Sequence, residues 1–482
     1  MLSSLVEHAV KFKIGFVSGN FFILHPGHIR FLRFASSMCE KLWIGVRNTR
    51  PSDRYPSAEE RVEALKALDL GQEIILLDQS LEYYLELIKP DAVIKGNEYR
   101  NIDNPEQPTL AQWGGEIVFS SGDANYSSSD LLLADEAANG SIHFIRPRSY
   151  IRRNQCDLDT LRSIVARFRG LEVAVIGDLI IDEYIDCEAL GMSREDPTIV
   201  VSPVGRNRYV GGAGIVAAHA QSLGANSHFI GLVADDESGD FARQELAKFG
   251  VRYDFFTDGT RPTTLKRRYR SAGKTLLRVS HLSQDEPAPE IQEKLLLATE
   301  RIMCHTNCVV LSDFSYGCLS QPIVESVIRL SRQKGSIVSA DSQSSSQTGD
   351  STRFRGVSLL CATEYEARSA LRTQSMGLSA LGAELLRRTE AQNLILKLGA
   401  AGLVLLRNSD DPSDLDRLPA LNSNPVDVAG AGDSMLIASS MALAVGASLA
   451  QAALIGSVAA AIQVSRQGNV PLSYDELSGA LH

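Results

Sequence analysis

The run of residues from Val426 to Ser434 reads Val-Asp-Val-Ala-Gly-Ala-Gly-Asp-Ser and gives the strongest indication of the fold. It precedes an apolar, alanine-rich segment, Met435 to Val464, which predicts two packed helices divided near Gly446. A glycine-rich turn at the start of a helix presents free backbone N–H groups, which can bind a transferring phosphoryl group. The candidate residues for this anion hole are Gly430, Ala431 and Gly432.

Asp433 closes the same turn and is the candidate catalytic base. Its carboxylate can accept the proton of an attacking hydroxyl. Phosphoryl transfer otherwise depends on positioning and charge stabilisation, so one base and an anion hole supply much of what it needs. The structural alternative is a glycine that ends one element, followed by an aspartate that caps the next helix.

Short apolar stretches alternate with helical periodicity in two series, one beginning at Lys13 and the other at Leu171. This alternation predicts parallel sheets in two α/β domains. The first series is predicted to close with a helix over Asp130–Ala138. The polar-alternating stretches Glu183–Val204 and Thr263–Val279 predict antiparallel hairpins that stand off the second sheet. We therefore expect a first domain at residues 1–140, a linker at 141–165 and a second domain at 166–482.

Composition narrows the class of protein. The net charge of the 482 residues is −10, which argues against general nucleic-acid binding. The seven cysteines are scattered, which is typical of a reducing compartment. The start of the chain does not resemble a signal peptide, and no apolar window is long enough for a membrane span. We expect a cytoplasmic enzyme that acts on small molecules, without nucleic-acid or membrane partners.

A second motif, His25-Pro26-Gly27-His28, follows the first predicted strand and opens a helix. The helix N-terminus favours phosphate, and Gly27 allows the backbone to approach a ligand closely. His25 and His28 can both donate hydrogen bonds to a triphosphate without titrating. The alternative is a pair of surface histidines at a helix cap.

This motif resembles the HxGH signature of the cytidylyltransferase-like nucleotidyltransferases. Val93–Tyr99 and Ser120–Ser129 resemble two further stretches of that superfamily, and Arg61 lies where it often carries an arginine-bearing helix. The resemblance implies a Rossmann-like fold with His25 and His28 as catalytic residues. The nucleotide- and phosphate-binding residues that it implies are Gly19, Asn20, Gly27, Lys95, Ser127 and Ser128.

The stretch that contains Asp427 and Asp433 resembles the D-x-x-G-A-G-D signature of the ribokinase/PfkB kinases. Gly177–Asp182, Gly211–Gly214 and Lys397–Gly402 resemble other elements of that family. The resemblance implies a ribokinase-like three-layer α/β/α domain with a small β lid, and ATP as phosphoryl donor. Its nucleotide site would add Lys397, Gly399 and Gly402 to the anion hole. Its substrate residues would be Asp178, Asp182, Gly211, Gly212, Arg278 and Asp313, with helix capping or salt bridging as the alternative for Asp178 and Asp182.

Magnesium is also implied by this resemblance. Glu364 and Glu366 match the acidic end of the family's NxxE element, which helps to organise magnesium and phosphate. Cys361 stands where that element has its asparagine. The metal role of the two glutamates would therefore be indirect.

Three stretches, Ser193–Pro197, Leu276–Val279 and Leu311–Phe314, are most similar to the heptose-7-phosphate kinase branch. That kinase is known in fusion with an HxGH nucleotidyltransferase, in the opposite domain order. The resemblance implies a bifunctional enzyme that makes a nucleotide-activated sugar. The kinase half would phosphorylate a sugar or sugar phosphate with ATP, and the other half would join a sugar 1-phosphate to ATP or CTP with release of pyrophosphate.

Two alternatives remain open at this point. Tyr316 and Gln343 occupy positions where the heptose branch has lysines, which favours a different sugar, polyol or nucleoside as acceptor. A nucleotide-binding regulatory protein with one degenerate site is the alternative from another class. The hairpins are expected to form a lid that pairs between subunits, so we predict a homodimer.

Overall fold

The computed structural model describes residues 12–22, 24, 26–48, 56–68, 72–96, 104–119, 145–272, 274–344, 349–408 and 415–481. The chain divides into two units. The first consists of Met1–Asn139 with Ser375–Leu381, and the second of Gly140–Gln374 with Gly382–His482. No helix in the described part of the chain is both long enough and apolar enough to cross a membrane.

The N-terminal unit is an alternating α/β structure. Its described elements are β1 (Phe12–Gly19), α1 (Pro26–Met38), β2 (Cys39–Arg47), α2 (Ala58–Lys66), β3 (Gln72–Leu77), α3 (Leu81–Ile88), β4 (Ala92–Lys95), α4 (Gln107–Leu110) and β5 (Glu116–Phe119). The strands form one parallel sheet in the order β3-β2-β1-β4-β5. Since Phe16 pairs with Val93, the ends of β1 and β4 lie at the same edge of the sheet. The helix predicted over Asp130–Ala138 lies outside the described residues.

Apolar clusters cover both faces of this sheet. Successive side chains of a strand point to opposite faces, so neighbouring residues of β1 enter different clusters. Val17 packs into one apolar cluster and Phe16 into another. A capping box fixes the start of α2: Ser57 Oγ accepts from the backbone N–H of Glu60, and the Glu60 side chain accepts from that of Ser57. The Rossmann-like prediction is confirmed.

The C-terminal unit is built on a larger sheet. Its elements are α5 (Arg148–Arg153), α6 (Leu158–Ala166), β6 (Glu172–Gly177), β7 (Leu179–Met192), β8 (Ile199–Gly212), α7 (Ala213–Ser222), β9 (Asn226–Val233), α8 (Glu237–Lys248), β10 (Arg252–Thr257), β11 (Leu265–Ser271), β12 (Lys274–His281), α9 (Pro289–Met303), β13 (Cys308–Asp313), α10 (Gln321–Lys334), β14 (Ile337–Ser342), β15 (Leu359–Thr363), α11 (Glu364–Leu371), α12 (Leu378–Thr389), β16 (Asn393–Lys397), β17 (Leu403–Arg407), β18 (Leu415–Leu418), α13 (Ala431–Ala444), α14 (Leu449–Gln463) and α15 (Tyr474–Ala480).

Nine of these strands form the main sheet, in the order β10-β9-β6-β13-β14-β15-β16-β17-β18. The pairs from β10 to β16 are parallel, and β17 and β18 add antiparallel strands at one edge. The carboxyl ends of β13 to β16 therefore meet along one edge, where loops of an α/β sheet form binding sites. The ribokinase-like prediction is confirmed in this unit.

A separate four-stranded sheet, which we call the lid, has the order β12-β11-β7-β8. β7 pairs antiparallel with β8, and β11 pairs antiparallel with β12, so both predicted hairpins are present. Helix α7 begins at Ala213, directly after β8. Gly211 and Gly212 are the last residues of β8 and pair with Ile180 and Leu179.

The alanine-rich segment forms two helices, α13 and α14, as predicted. The chain turns at Gly446, whose φ of +87° favours glycine. Ser448 then caps α14 by accepting from the backbone N–H of Gln451, which returns a side-chain contact. Both helices pack into the apolar core of the C-terminal unit.

The described part of the segment expected to be a linker, residues 145–165, belongs to this core instead. Tyr150 on α5 and Leu161 on α6 are fully buried in it. Tyr150 also donates a hydrogen bond to Ala450 O at 2.8 Å. Apolar residues at helical spacing, Leu161, Ile164 and Val165, give α6 a buried face that the arginines nearby obscured in the sequence.

We expect Leu161→Ala to lower the free energy of unfolding of the C-terminal unit by about 2–5 kcal/mol, because it removes a fully buried side chain from a packed core. Denaturant unfolding followed on the full chain measures this. Leu297→Ala is the matched control, since Leu297 is 58% exposed on α9 and its loss should have a small effect. If both changes lowered the free energy of unfolding by the same small amount, α6 would not be part of the packed core and the linker interpretation would stand.

Candidate functional sites

The glycine turn of the C-terminal unit lies at the start of α13. Gly430 has φ +75°, and a Cβ at this position would lie 2.4 Å from Asn469 Oδ1. Only glycine fits this close approach without strain. Ala431 and Gly432 lie in the first turn of α13, where backbone N–H groups lack the partners of the helix interior, and the Ala431 N–H makes a long contact of 3.5 Å to Val428 O. N–H groups at such a turn can bind an anion.

Asp433 follows in the first turn of α13 and is almost fully buried. Its Oδ1 accepts a hydrogen bond from Gln343 Nε2 at 2.7 Å. Burial raises the pKa of Asp433 to about 6, while the Gln343 hydrogen bond and the Lys397 ammonium act in the opposite direction. A carboxylate whose pKa lies this close to neutrality suits a general base.

Lys397, at the end of β16, lies beside the glycine turn. Its Nζ is 2.5 Å from Oδ2 of Asp341, which lies on β14 at the same edge of the sheet. A Cβ at Gly432 would lie 3.4 Å from Nζ. Burial raises the pKa of Asp341, and the Lys397 ammonium opposes this rise. The structure thus places the mostly buried Lys397 ammonium beside the glycine turn, and its role in nucleotide binding stays a prediction.

The two other glycines predicted for the nucleotide site have structural reasons as well. Gly399 (φ +61°) and Gly402 (φ +85°) flank a short 3-10 helix after β16. A Cβ at Gly402 would lie 2.2 Å from Leu418 O, so the neighbouring strand β18 requires glycine there. Their role in nucleotide binding stays a prediction.

Asp182 lies on the lid and is mostly buried. Its Oδ1 pairs with Arg268 on β11, and its Oδ2 accepts from Asn469 Nδ2 at 3.3 Å. Gly211 is adjacent, since a Cβ there would lie 2.5 Å from Asp182 Oδ2. Asn469 therefore connects the predicted substrate residue Asp182 with Gly430 of the anion hole.

Asp178 has a different environment from Asp182. Its carboxylate accepts backbone N–H bonds from Phe314, Tyr316 and Cys318 at 2.8–3.1 Å. Burial raises the pKa of Asp178 to about 6, and nearby Asp313 adds to the rise. These contacts give Asp178 a structural role, because its oxygens order the loop after β13, and its role in substrate binding stays a prediction.

The remaining predicted substrate residues are spread over the same unit. Asp313 accepts from Ser315 N and Ser342 Oγ, both at 3.0 Å, and pairs with Arg353 at 3.4 Å. Gly212 has φ +57°, and a Cβ there would lie 2.4 Å from Asp178 O. Arg278 is exposed on β12, opposite Arg268 on β11.

The carboxylates predicted to organise magnesium are engaged by other groups. Glu364 pairs with Arg368 at 2.8 Å, and Glu366 accepts from the backbone N–H groups of Ser344 and Thr363. Within the described ranges, no group of three or more His, Cys, Asp or Glu side chains is placed to hold a metal ion. Asp341 Oδ1 is a buried oxygen without a hydrogen-bond partner there, and it fits a magnesium ion that arrives with nucleotide phosphates.

The N-terminal site begins where β1 ends at Gly19. The next carbonyl, of Asn20, accepts from the guanidinium of Arg61, which also donates to Arg47 O and Ser57 O. Arg61 is 2% exposed, so a single side chain of α2 ties the ends of β1 and β2 together. This contact fixes the backbone that leads into the histidine motif.

His28 lies in the first turn of α1, and its ring contacts that of Phe21 edge-on with centroids 5.3 Å apart. Gly27 belongs to the same turn. Lys95 ends β4, and its Nζ contacts both oxygens of the buried Glu106 at 2.9 Å. His25, Ser127 and Ser128 lie outside the described residues, so their roles stay predictions.

Several groups at these sites were not predicted, among them Asp341, Gln343, Asn469 and Glu106. Gln343 was noted in the sequence only as a position where the heptose branch has a lysine. The place of Asp341 near the end of an apolar stretch, like that of Lys397, was the available signal. Asn469 gave none, because it follows the predicted helices in an irregular segment.

The fold and these sites are typical of a sugar kinase joined to a nucleotidyltransferase domain. Residues 171–474 match the model of the pfkB family carbohydrate kinases, and residues 16–117 match that of the cytidylyltransferase-like family. The first match spans more than half of the chain, so the protein belongs to the pfkB family of carbohydrate kinases and is a transferase. The cytidylyltransferase-like domain precedes the kinase domain in this chain.

The chain is similar to proteins named bifunctional protein HldE. It is 31% identical to that of Bradyrhizobium sp. (strain ORS 278) over 327 residues, which are 67% of this chain and 65% of the relative. It is 31% identical to that of Caulobacter vibrioides over 325 residues, 66% of this chain and 65% of the relative. The chain thus aligns with less than two thirds of the length of these relatives. The opposite domain order predicted for such proteins stays a prediction.

Two solved structures share the fold. Arabidopsis thaliana ribokinase, complexed with ribose and ATP, is 18% identical with a TM-score of 0.52, and the match covers 65% of this chain and 99% of the ribokinase. Giardia lamblia ribokinase is 17% identical with a TM-score of 0.52, with 64% and 99% covered. These matches establish the ribokinase-like fold of the C-terminal unit.

We expect Gly430→Ala to weaken ATP binding by at least about tenfold, because the added Cβ would displace Asn469 and distort the anion hole, a strain of roughly 1–3 kcal/mol. Calorimetric titration with ATP measures the affinity. Gly446→Ala is the matched control, since Gly446 also has positive φ but a Cβ there would meet no atom within 4 Å. Equal losses from both substitutions would mean that backbone strain alone, and not the anion hole, explains the effect.

Proposed function

We propose that the protein is a bifunctional enzyme that makes a nucleotide-activated sugar of the ADP-heptose type. The observation that carries the proposal is the buried arrangement at the start of α13, where Asp433, Lys397 and the glycine turn meet. The similarity to the HldE proteins supports the pairing of the two activities, and the heptose-like stretches of the sequence support the acceptor.

In the kinase half, an acceptor hydroxyl attacks the γ-phosphorus of ATP. Asp433 accepts the hydroxyl proton as the new O–P bond forms, and the bond from γ-phosphorus to the bridging oxygen breaks to release ADP. The N–H groups of Ala431 and Gly432, with the Lys397 ammonium, stabilise the negative charge of the transferring group. For a product that will receive a nucleotide, the acceptor is the anomeric hydroxyl.

In the N-terminal half, the sugar 1-phosphate attacks the α-phosphorus of ATP or CTP, and pyrophosphate leaves. His25 and His28 hold the triphosphate at the start of α1, with the backbone of Gly19, Asn20 and Gly27 close to the phosphates. Ser127 and Ser128 contribute from the last loop. Lys95 must exchange part of its contact with Glu106 for the ligand, so its side chain responds to substrate.

Magnesium accompanies the ATP phosphates and neutralises their charge. Asp341, through its unpartnered Oδ1, is the residue that would hold it, and Glu364 and Glu366 act indirectly through the order of the loops that they bind. The use of ATP supports a cytoplasmic location.

A different acceptor is the second candidate, and one observation favours it. Tyr316 is buried and Gln343 is bonded to Asp433, so neither position offers a cation to a substrate phosphate. A neutral sugar, polyol or nucleoside would then replace the sugar phosphate. The kinase chemistry at Asp433 would be unchanged.

We expect the full chain to convert D-glycero-D-manno-heptose 7-phosphate and MgATP to a bisphosphate, detected by mass spectrometry. Asp433→Asn should lower this rate by at least about 100-fold, because it removes the base. In a separate assay with heptose 1-phosphate and ATP or CTP, His28→Ala should lower pyrophosphate release by about 100-fold or more.

Each variant serves as the control for the other, since each should keep the activity of the unaltered half. A folded wild-type chain that binds ATP but makes no bisphosphate would remove the heptose acceptor and leave the second candidate. Retention of both activities in both variants would reject the site assignments.

We also propose that the protein is a homodimer joined through the lid. Apolar side chains are exposed on its strands, and an exposed apolar patch of this kind marks an interaction surface. These side chains are Leu190, Met192, Ile199, Val200, Val204, Leu276 and Leu277.

Light scattering on the full chain at micromolar concentration should give twice the monomer mass. Leu277→Asp should shift the mass to that of the monomer, because a charge on the shared face opposes burial. Leu297→Asp, a change at an exposed leucine on α9, should keep the dimer. A wild-type chain that is monomeric under these conditions contradicts the proposal.

A further inference from the structure

Gln343 follows the end of β14 and is held at both its backbone and its side chain. The backbone N–H donates to Asp313 O at 2.8 Å, and the side-chain Nε2 donates to Asp433 Oδ1 at 2.7 Å. Asp313 is fixed in turn by Ser342 Oγ and Arg353. Among the described residues, the amide of Gln343 supplies the hydrogen bond that the Asp433 carboxylate receives.

We propose that Gln343 is a positioning residue for the base, which occupies Oδ1 of Asp433 so that Oδ2 receives the proton of the acceptor hydroxyl. The inference rests on the proposed kinase function. A carboxylate can otherwise rotate about its Cβ–Cγ bond and exchange its two oxygens. One directed hydrogen bond from an anchored donor removes this freedom, and the reacting oxygen is then presented in one orientation.

The neutrality of the amide matters as much as its position. The resemblance to heptose kinases places a lysine here, and an ammonium would stabilise ionised Asp433 more strongly than an amide does. The carboxylate already faces Lys397 from β16 and Lys266 from the lid, while Asp182 on the lid acts in the opposite direction. Asp341 on β14 is a further charge in the same cluster.

Gln343 therefore orients the base without adding a third cation beside it. Burial raises the pKa of Asp433 to about 6, and an additional ammonium would lower that pKa. A lower pKa makes a carboxylate a weaker proton acceptor. With glutamine instead of lysine at this position, the pKa of Asp433 stays closer to the pH at which the enzyme works.

The test compares Gln343→Leu with Gln343→Lys in the full chain, with ATP and heptose 7-phosphate as substrates. Gln343→Leu removes the donor at similar size, so we expect kcat to fall about tenfold, with little change in KM for ATP. The acidic limb of the kcat profile should move to higher pH, because a hydrogen bond to the charged form is lost. Gln343→Lys should move that limb to lower pH and recover part of kcat.

Gln244→Leu is the matched control, since Gln244 is exposed in the middle of α8 and the same change there should leave the pH profile in place. An unchanged kcat and acidic limb in Gln343→Leu would overturn the inference, as would a change confined to KM for ATP. If Gln343→Leu does not fold, Gln343→Asn, which keeps the amide but shortens its reach, and Gln343→Lys carry the same comparison.

Failure of the proposed function is distinguished by a readout without substrate. If the wild-type chain does not phosphorylate heptose 7-phosphate, the acceptor is wrong, and the Asp433 carboxyl is titrated by infrared difference spectroscopy, with Asp433→Asn to assign the band. Gln343→Leu should raise the pKa of that carboxyl relative to wild type. An unmoved pKa would overturn the positioning role whatever the acceptor is.

Discussion

The ion pair between Lys397 and Asp341 is the contact on which the kinase site depends. Both charges are buried, and a buried charge is tolerated only when it is paired. The pair lies against Gly432, where the free N–H groups of α13 favour negative charge and oppose the lysine. Asp341 therefore makes it possible to keep an ammonium at a helix N-terminus, and the phosphate of ATP would take over that role when it binds.

Other parts of the site are arranged around this pair. The strands β14 and β16 must end together, so that Asp341 and Lys397 can meet across β15. A Cβ at Gly432 would lie 3.4 Å from the ammonium, at ordinary van der Waals distance, so the ion pair lies directly beside the turn. Asn469 then fills the space on the other side of the turn and links it to Asp182 on the lid. The lid and the anion hole are thus connected through buried polar contacts, which have defined geometry because each unsatisfied group would be costly.

The local elements could largely be predicted from the sequence, and the contacts between them could not. The run Val426–Ser434 predicted the glycine turn and the helix start that the structure contains at Gly430 and Ala431. Its role as an anion hole stays a prediction. Alternating polarity identified both lid hairpins. The segment before residue 166 was interpreted as a linker, because the basic cluster of Arg146, Arg148, Arg152 and Arg153 outweighed the apolar residues at helical spacing in α6. The contacts of Asp178 with the loop after β13 also required the structure, since its partners are backbone groups about 140 residues away.

The charges around the glycine turn bear on the two lysines that the heptose branch has and this chain lacks. Asp182, Asp341 and Asp433 place three buried carboxylates near the anion hole, and Arg268, Lys397 and Lys266 face them. With these charges matched, more lysines would bind phosphate more tightly but would also hold Asp433 ionised and weaken it as a base. Tyr316 and Gln343 are neutral, and Tyr316 contributes its ring to Lys266 instead, at 5.2 Å. Two of the three cations, Lys266 and Arg268, lie on the lid strand β11, whereas Lys397 ends β16 of the main sheet.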